Sequence, residues 1–256
     1  MKINDFPSIS VVGASGAVGK ICLDILNERN YPIEKINLFA SSRSAGKKII
    51  YDNNELIVKE ATKNSFDESD VVFISADSNV SLELAPSAVN SGALVIDDGS
   101  AFRMKEDVPL VVPEVNENDI KTHNGIISIP NCTTTPLVMA VHNLRKLSKI
   151  NRIQAATYQA VSGSGSMAVS ELHNQTMSII NNDEITKSVY PHQIAFSVIP
   201  QVDEFMPDGY TKEEHKMINE TKKILHDNNL KISATCVRYI IVILKLLQLI
   251  LKMKLI

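Results

Sequence analysis

Ser8-Ile9-Ser10-Val11-Val12-Gly13-Ala14-Ser15-Gly16-Ala17-Val18-Gly19 decides the fold. The first five residues are a short β-branched run, as expected of a buried strand, and a segment with three glycines follows at once. Val18, Ile21, Cys22, Ile25 and Leu26 then fall at i, i+3, i+4, i+7 and i+8, an apolar helical stripe that begins inside the glycine segment. Strand, turn and helix therefore succeed one another without a linker. Further β-like runs follow at residues 36–40, 56–58, 71–75, 94–97, 110–112 and 126–129, with a helix-compatible stretch over 80–90 between two of them. Strands alternating with helices predict an α/β fold with a doubly wound parallel sheet.

The length of 256 residues leaves room for two domains with proper cores. The boundary is expected near Pro130-Asn131, giving a dinucleotide-binding domain over 1–131 and a second domain over 132–238. With 44% apolar and 21% charged residues the chain is not disordered. The formal charge of −3, with no basic cluster before the last eighteen residues, argues against nucleic acid as a partner. Cys22, Cys132 and Cys236 are too far apart for a disulfide framework or a zinc site, so no metal is expected and the compartment is reducing. The start of the chain carries an acid and no long apolar run, so it is not a secretory signal and a cytoplasmic protein is expected.

Residues 239–256 are atypical: 14 of 18 are apolar, the rest being three lysines and one glutamine. Lys245, Lys252 and Lys254 interrupt the run too often for a membrane span. It shows neither period-2 alternation nor a cap or turn residue, and it reads as foreign to the rest, as after a frameshift. A buried strand or core helix is the alternative.

The spacing G-x-x-G-x-x-G differs from the G-x-G-x-x-G of many dinucleotide folds, but its place between a strand and an amphipathic helix gives it weight. Glycine lets the backbone approach a pyrophosphate, and the helix start offers unpaired N–H groups with positive partial charge. The alternative is a glycine turn kept for tight packing. At the end of the second strand, where an acid would accept from an unphosphorylated ribose, the chain reads Phe39-Ala40-Ser41-Ser42-Arg43-Ser44-Ala45-Gly46-Lys47-Lys48. Hydroxyls, a guanidinium and ammonium groups suit a 2′-phosphate, which favours NADP over NAD; a solvated basic loop is the plainer alternative.

Ile129-Pro130-Asn131-Cys132-Thr133-Thr134-Thr135-Pro136 leads from a strand into a helix whose predicted stripe is Leu137, Ala140, Val141, Leu144 and Leu147. Cys132 stands at the helix entrance, where the macrodipole favours thiolate, the nucleophilic form. Position alone leaves open whether it is a nucleophile or a small hydrophobe. Cys22, on the apolar stripe of the first helix, reads as the latter.

The opening VVGASGAVG, DDGSAFRM over 97–104, IPNCTTTP around Cys132, TYQAVSGSG over 157–165, IPQVDEF and GYTKEEHKMINETKKIL over 199–225, and ATCVR over 234–238 together resemble aspartate-β-semialdehyde dehydrogenase. The resemblance implies a Rossmann domain followed by an α/β catalytic and dimerisation domain, a homodimer, and reduction of L-aspartyl-4-phosphate by NADPH on the route to lysine, methionine and threonine. It implies that Cys132 is the nucleophile and that Gln159 orients the acyl group. Arg103 and Lys216 would hold phosphate, Glu213 would sit near the substrate amine, and Arg238 would grip the α-carboxylate. Gly13, Ser15, Gly16, Ala17, Val18, Arg43, Ser44, Ser162 and Gly163 would hold NADP. The nearest rival among enzymes is N-acetyl-glutamyl-phosphate reductase, and Arg238 in ATCVR with the GYTKEE segment favours the aspartyl enzyme.

The chain departs from this pattern at one position and beyond it. The family places a general-base histidine seven residues after the arginine matching Arg238, where this chain has Lys245, and no histidine follows His226. The second domain therefore reads as incomplete, and a catalytically impaired relative that binds nucleotide or partners is the second reading. His123, His142, His173, His192, His215 and His226 match no catalytic position and read as surface or helix residues.

Overall fold

In a computed structural model the chain forms two compact units, Met1–Asn131 and Cys132–Ile256. The structure describes residues 4–240 and, as backbone alone, 244–252. The first unit runs β1 (Ser8–Val12), α1 (Ala17–Glu28), β2 (Lys35–Ala40), β3 (Lys48–Tyr51), β4 (Asn54–Ile57), β5 (Lys59–Glu60), β6 (Val71–Ile74), α2 (Ser78–Asn90), β7 (Leu94–Asp97), α3 (Pro113–Asn116) and β8 (Ile126–Ser128). Six of these strands form one parallel sheet in the order β5-β2-β1-β6-β7-β8, while β3 and β4 make a separate hairpin.

The alternation of β1 explains why the sheet is covered on both faces. Ile9 and Val11 join Leu23 of α1 with Leu38 and Val58 in one core. Val12 faces the other core, with Phe39, Phe66, Val72, Ile74, Leu84, Ala85, Ala88 and Val95, where α2 packs. This is the doubly wound Rossmann arrangement, and the direction of winding reverses between β1 and β6. The turn after β1 is pressed into that reversal point. Gly13 has φ of +86°, and a Cβ there would lie 2.1 Å from the carbonyl oxygen of Ser75, just beyond β6.

The rotation of α1 differs from the apolar stripe. Gly19 and Leu23 are buried and Cys22 is half-buried, whereas Val18, Ile21 and Ile25 are exposed. Gly19 sets this rotation, because a Cβ there would lie 2.3 Å from the Gly13 oxygen. The bare face of the helix must therefore meet the turn. The run 110–112 forms no strand; Leu110 makes a single parallel bridge to Ser128. Pro109 and Pro113 flank it and have no amide to extend the ladder.

The second unit contains α4 (Thr134–Leu147), β9 (Lys149–Ala160), α5 (Ser166–Asn181), α6 (Lys212–Ile224), β10 (Lys231–Tyr239) and β11 (Leu244–Lys252). Its sheet has the order β10-β9-β11, with β10 parallel and β11 antiparallel to β9. Within 239–256, then, Tyr239 closes β10 and 244–252 pair as a strand; residues 241–243 and 253–256, and the side chains of Lys245 and Lys252, lie outside the described residues.

On α4 the buried positions are Thr134, Leu137, Val138 and Val141, while Ala140 is exposed and Leu147 is 84% exposed. The helix packs on both β9 and α6. Arg145 takes the inward place that the stripe gave to Leu147, donating to the Leu225 carbonyl at 2.9 Å and pairing with Asp227 at 3.3 Å.

The turn geometry sets a stability test. Gly13→Ala adds positive-φ strain and an overlap with backbone, and is expected to cost about 2–5 kcal/mol in urea unfolding. Gly46→Ala, at φ +85° with open space around the added Cβ, is expected to cost about 1–2 kcal/mol.

Candidate active site

In the first unit the glycine turn is held by the neighbouring strand. The amides of Gly13 and Ala14 both donate to the Phe39 carbonyl of β2, at 2.8 and 3.1 Å, and the Gly16 amide turns back to the Gly13 carbonyl at 2.9 Å. Gly16 is the N-cap of α1 and no side chain caps that helix. Ala17 and Val18 open it, with Ser15 just ahead. The first-turn N–H groups of a helix have no intrahelical acceptor, so this end suits a phosphate in both shape and charge. The residues present therefore fit a dinucleotide.

The same Phe39 contact places the end of β2 beside the turn. Arg43 and Ser44 follow in a 3₁₀ turn, Ser42–Ser44. Arg43 is exposed, and Lys47 donates to the Ser44 hydroxyl at 3.2 Å.

Arg103 lies in the loop after β7 and is buried, donating to the Asp98 carbonyl oxygen at 2.7 Å. The loop is anchored by two acids. Asp97 accepts from the Ser81 hydroxyl at 2.7 Å and Asp98 from the Ser75 hydroxyl at 3.0 Å. Burial pushes both carboxyls above the ordinary range.

In the second unit, parallel register sets Arg238 of β10 directly beside Gln159 of β9. Both are buried. Gln159 donates to the Thr157 hydroxyl at 3.2 Å, and Arg238 donates to the Ala160 carbonyl at 3.0 Å. The 3₁₀ turn Val161–Ser164, which carries Ser162 and Gly163, follows β9; a Cβ on Gly163 would lie 3.5 Å from the Arg238 guanidinium.

The start of α6 is fixed at this same end, because the Cys236 amide, two residues before Arg238, donates to Glu214 at 2.9 Å. Glu213 is buried and Lys216 stands one turn further on. The Lys216 ammonium lies 2.8 Å from Asp203 and 3.4 Å from Glu213. Burial works against the lysine charge, but the two carboxylates outweigh it and raise its pKa above the ordinary value.

Cys132 is exposed and stands two residues before the first residue of α4, whose start carries no side-chain cap. Only Ser148 separates α4 from β9, and the helix packs on the strand that follows it. Burial raises the Cys22 thiol and Cys236 is buried, so of the three thiols Cys132 is the one presented to solvent. Among the described residues no group of three or more His, Cys, Asp or Glu side chains is placed to hold a metal.

Residues 8–123 match the semialdehyde dehydrogenase NAD-binding domain model and residues 141–242 match the semialdehyde dehydrogenase dimerisation domain model. The aspartate-semialdehyde dehydrogenase of Bacillus subtilis is 50% identical over 237 residues, covering 90% of this chain and 68% of the relative. That of Aquifex aeolicus is 47% identical, over 90% of this chain and 69% of the relative. The chain belongs to the aspartate-semialdehyde dehydrogenase family. Among solved structures of the family, enzyme II of Vibrio cholerae complexed with ASA superposes with a TM-score of 0.90 at 38% identity, over 92% of this chain and 71% of that one. The Candida albicans enzyme with NADP gives 0.72 at 27% identity, over 95% and 71%. The first unit is accordingly an NAD(P)-binding domain of this oxidoreductase family, and no described helix is long and apolar enough to cross a membrane.

One contributor to the site went unread in the sequence. Asp203 holds the lysine more closely than Glu213 does and takes a left-handed backbone, φ +69°, to do so. Burial pushes its carboxyl up, but the Lys216 hydrogen bond and the Glu204 amide outweigh this and hold it below the ordinary range. A depressed native pKa means that the contribution is complete above the unfolded value, about 3.9, and is lost as pH falls through the native one. Asp203→Asn is expected to destabilise the partly exposed pair by about 0.5–1 kcal/mol at neutral pH. Urea unfolding should show that deficit shrinking below about pH 4.

Proposed function

We propose that this chain reduces L-aspartyl-4-phosphate to L-aspartate-4-semialdehyde and phosphate with NADPH, through a thioester on Cys132, in the biosynthesis of lysine, methionine and threonine. The observation that carries the reading is the exposed thiol at an uncapped helix start, in the unit that also sets Gln159, Arg238, Glu213 and Lys216 at one end of the β9–β10 pair. The relatives named above favour this over nucleotide binding without turnover.

In the proposed reaction the Cys132 thiolate attacks the acyl carbon. A carbon–sulfur bond forms, and the carbon–oxygen bond to phosphate breaks with its electrons leaving on phosphate. The helix start favours the anionic sulfur before attack. The buried Gln159 amide orients the acyl group. Arg238 offers the α-carboxylate a planar fork, and Glu213 offers the α-ammonium a carboxylate. Lys216, and Arg103 of the first unit in the family assignment, supply cations for the departing phosphate.

Gly13, Ser15, Gly16, Ala17, Val18, Arg43 and Ser44 of the first unit would hold NADPH, which would supply the hydride; Ser162 and Gly163 are assigned to it by the family resemblance alone. The family histidine position falls on Lys245, whose side chain lies outside the described residues. A cytoplasmic homodimer is proposed on the cysteine pattern and the match to a dimerisation domain.

Turnover is read as NADPH formation when semialdehyde, phosphate and NADP are supplied. Cys132→Ala is expected to abolish it, and iodoacetamide is expected to modify Cys132 first, with semialdehyde and phosphate protecting. Equal turnover in the variant would overturn the reading. Arg43→Ala is expected to weaken NADP by about ten- to a hundredfold while leaving NAD affinity unchanged, as for loss of a charge-assisted contact to the 2′-phosphate. Fluorescence titration of the two nucleotides decides it.

A further inference from the structure

The stretch between α5 and Ile199 has no helix or strand, yet two buried side chains of α5 hold it in place. Glu171, 5% exposed, accepts from the Ser188 amide at 2.9 Å, from the Ser188 hydroxyl at 2.8 Å and from the Val189 amide. One turn on, Gln175, 1% exposed, accepts from the amides of Ile194 and Ala195 at 2.9 and 3.1 Å and donates to the Thr186 carbonyl at 3.0 Å. The two side chains are themselves bonded at 3.0 Å. Burial would push the Glu171 carboxyl up, but its amide and hydroxyl donors outweigh this and keep it below the ordinary range. The strap 186–195 is therefore clamped at both ends.

Between the clamps lies Tyr190. Its ring packs against the core of Val161, Ala168, Ile194 and Ile199, and its centre is 5.9 Å from the Arg238 guanidinium carbon. The Tyr190 hydroxyl is buried without a hydrogen-bond partner, an arrangement that costs stability. The position thus uses the ring rather than the hydroxyl. Arg238 needs such a neighbour. It is buried, its Nε has no partner, and no carboxylate pairs with it among the described residues. Its orientation rests on the Ala160 carbonyl, the turn at Gly163 and this ring.

We infer that Tyr190 is a positioning residue: its ring, held by the Glu171–Gln175 clamp, sets the plane of the Arg238 guanidinium for the substrate α-carboxylate. The inference rests on the reading of Arg238 proposed above. It makes the strap 186–195, which carries none of the site residues assigned above, a determinant of selectivity for α-carboxylated substrates.

The test is calorimetric titration of the full chain with L-aspartate-4-semialdehyde, with 3-aminopropanal, which is the same aldehyde without the α-carboxylate, and with inorganic phosphate. Tyr190→Leu is expected to weaken the semialdehyde by about three- to tenfold, the range of a partly desolvated cation–ring contact. Affinity for 3-aminopropanal and phosphate should not change. Tyr190→Phe should bind all three as the parent does. Should Tyr190→Leu fail to fold, Tyr190→Met carries the same comparison.

Unchanged semialdehyde affinity in the folded aliphatic variant, equal weakening of all three ligands, or a Phe variant as weak as Leu would each overturn the inference. Arg238→Lys separates the two ideas. If it weakens the semialdehyde while Tyr190→Leu does not, the positioning role falls and the carboxylate reading stands; if it too has no effect, the carboxylate reading itself falls.

Discussion

The carboxylate of Glu214 joins the start of a helix to the end of a strand, and the functional end of the second unit depends on that joint. One oxygen accepts from the Thr211 amide at 2.7 Å while the Thr211 hydroxyl accepts from the Glu214 amide at 3.3 Å, a reciprocal capping box. The other oxygen accepts from Cys236 of β10 at 2.9 Å. Residues 213 and 216 are thereby set against residue 238, although more than twenty positions separate them in sequence. A cap that elsewhere would end at satisfying helix amides here also sets the register between α6 and β10. The register between β10 and β9 then brings Gln159 to the same place.

The helices of eight or more residues treat their N-terminal amides in two ways. α2 is capped by the Asp77 side chain and α6 by Thr211. α1, α4 and α5 have no side-chain cap, and they follow, in turn, the glycine segment, Cys132 and the Ser162–Gly163 turn. In the proposed reaction these segments would hold a pyrophosphate, a thiolate and the nucleotide. A side-chain oxygen at those helix starts would occupy the donors and neutralise the partial charge that an anion needs. Leaving them uncapped costs the isolated helix stability, so the pattern ties local sequence choice to the chemistry of each end.

What was legible in the sequence was local. The strand–turn–helix at 8–28 could be read because a β-branched run, three glycines and an amphipathic stretch are contiguous, and Cys132 because proline and threonines mark a helix entrance. The helix rotations were not legible. Gly19 faces inward through a close approach to Gly13, which no hydropathy stripe contains, and Arg145 replaces Leu147 because Leu225 and Asp227 offer it acceptors from another helix end. The i, i+3 partner of Lys216, Glu213, was visible by spacing. The nearer one, Asp203, lies thirteen residues upstream in a left-handed turn, and Tyr190 is forty-eight residues from Arg238, so only the fold brings these pairs together.

The surroundings of Lys216 also show how an ion-pair network can serve a cationic role. With Asp203 at 2.8 Å and Glu213 at 3.4 Å from its ammonium, Lys216 does not present a bare positive charge to a phosphate. The acids instead secure its ionisation against burial and use part of its donor set, leaving the remaining N–H direction defined. A freely rotating surface lysine would attract anions better at long range and orient them worse. For a step in which sulfur adds to the acyl carbon and phosphate is then expelled from it, a cation of fixed direction is worth more than extra charge. On this reading the paired carboxylates are part of the phosphate site rather than competitors for it.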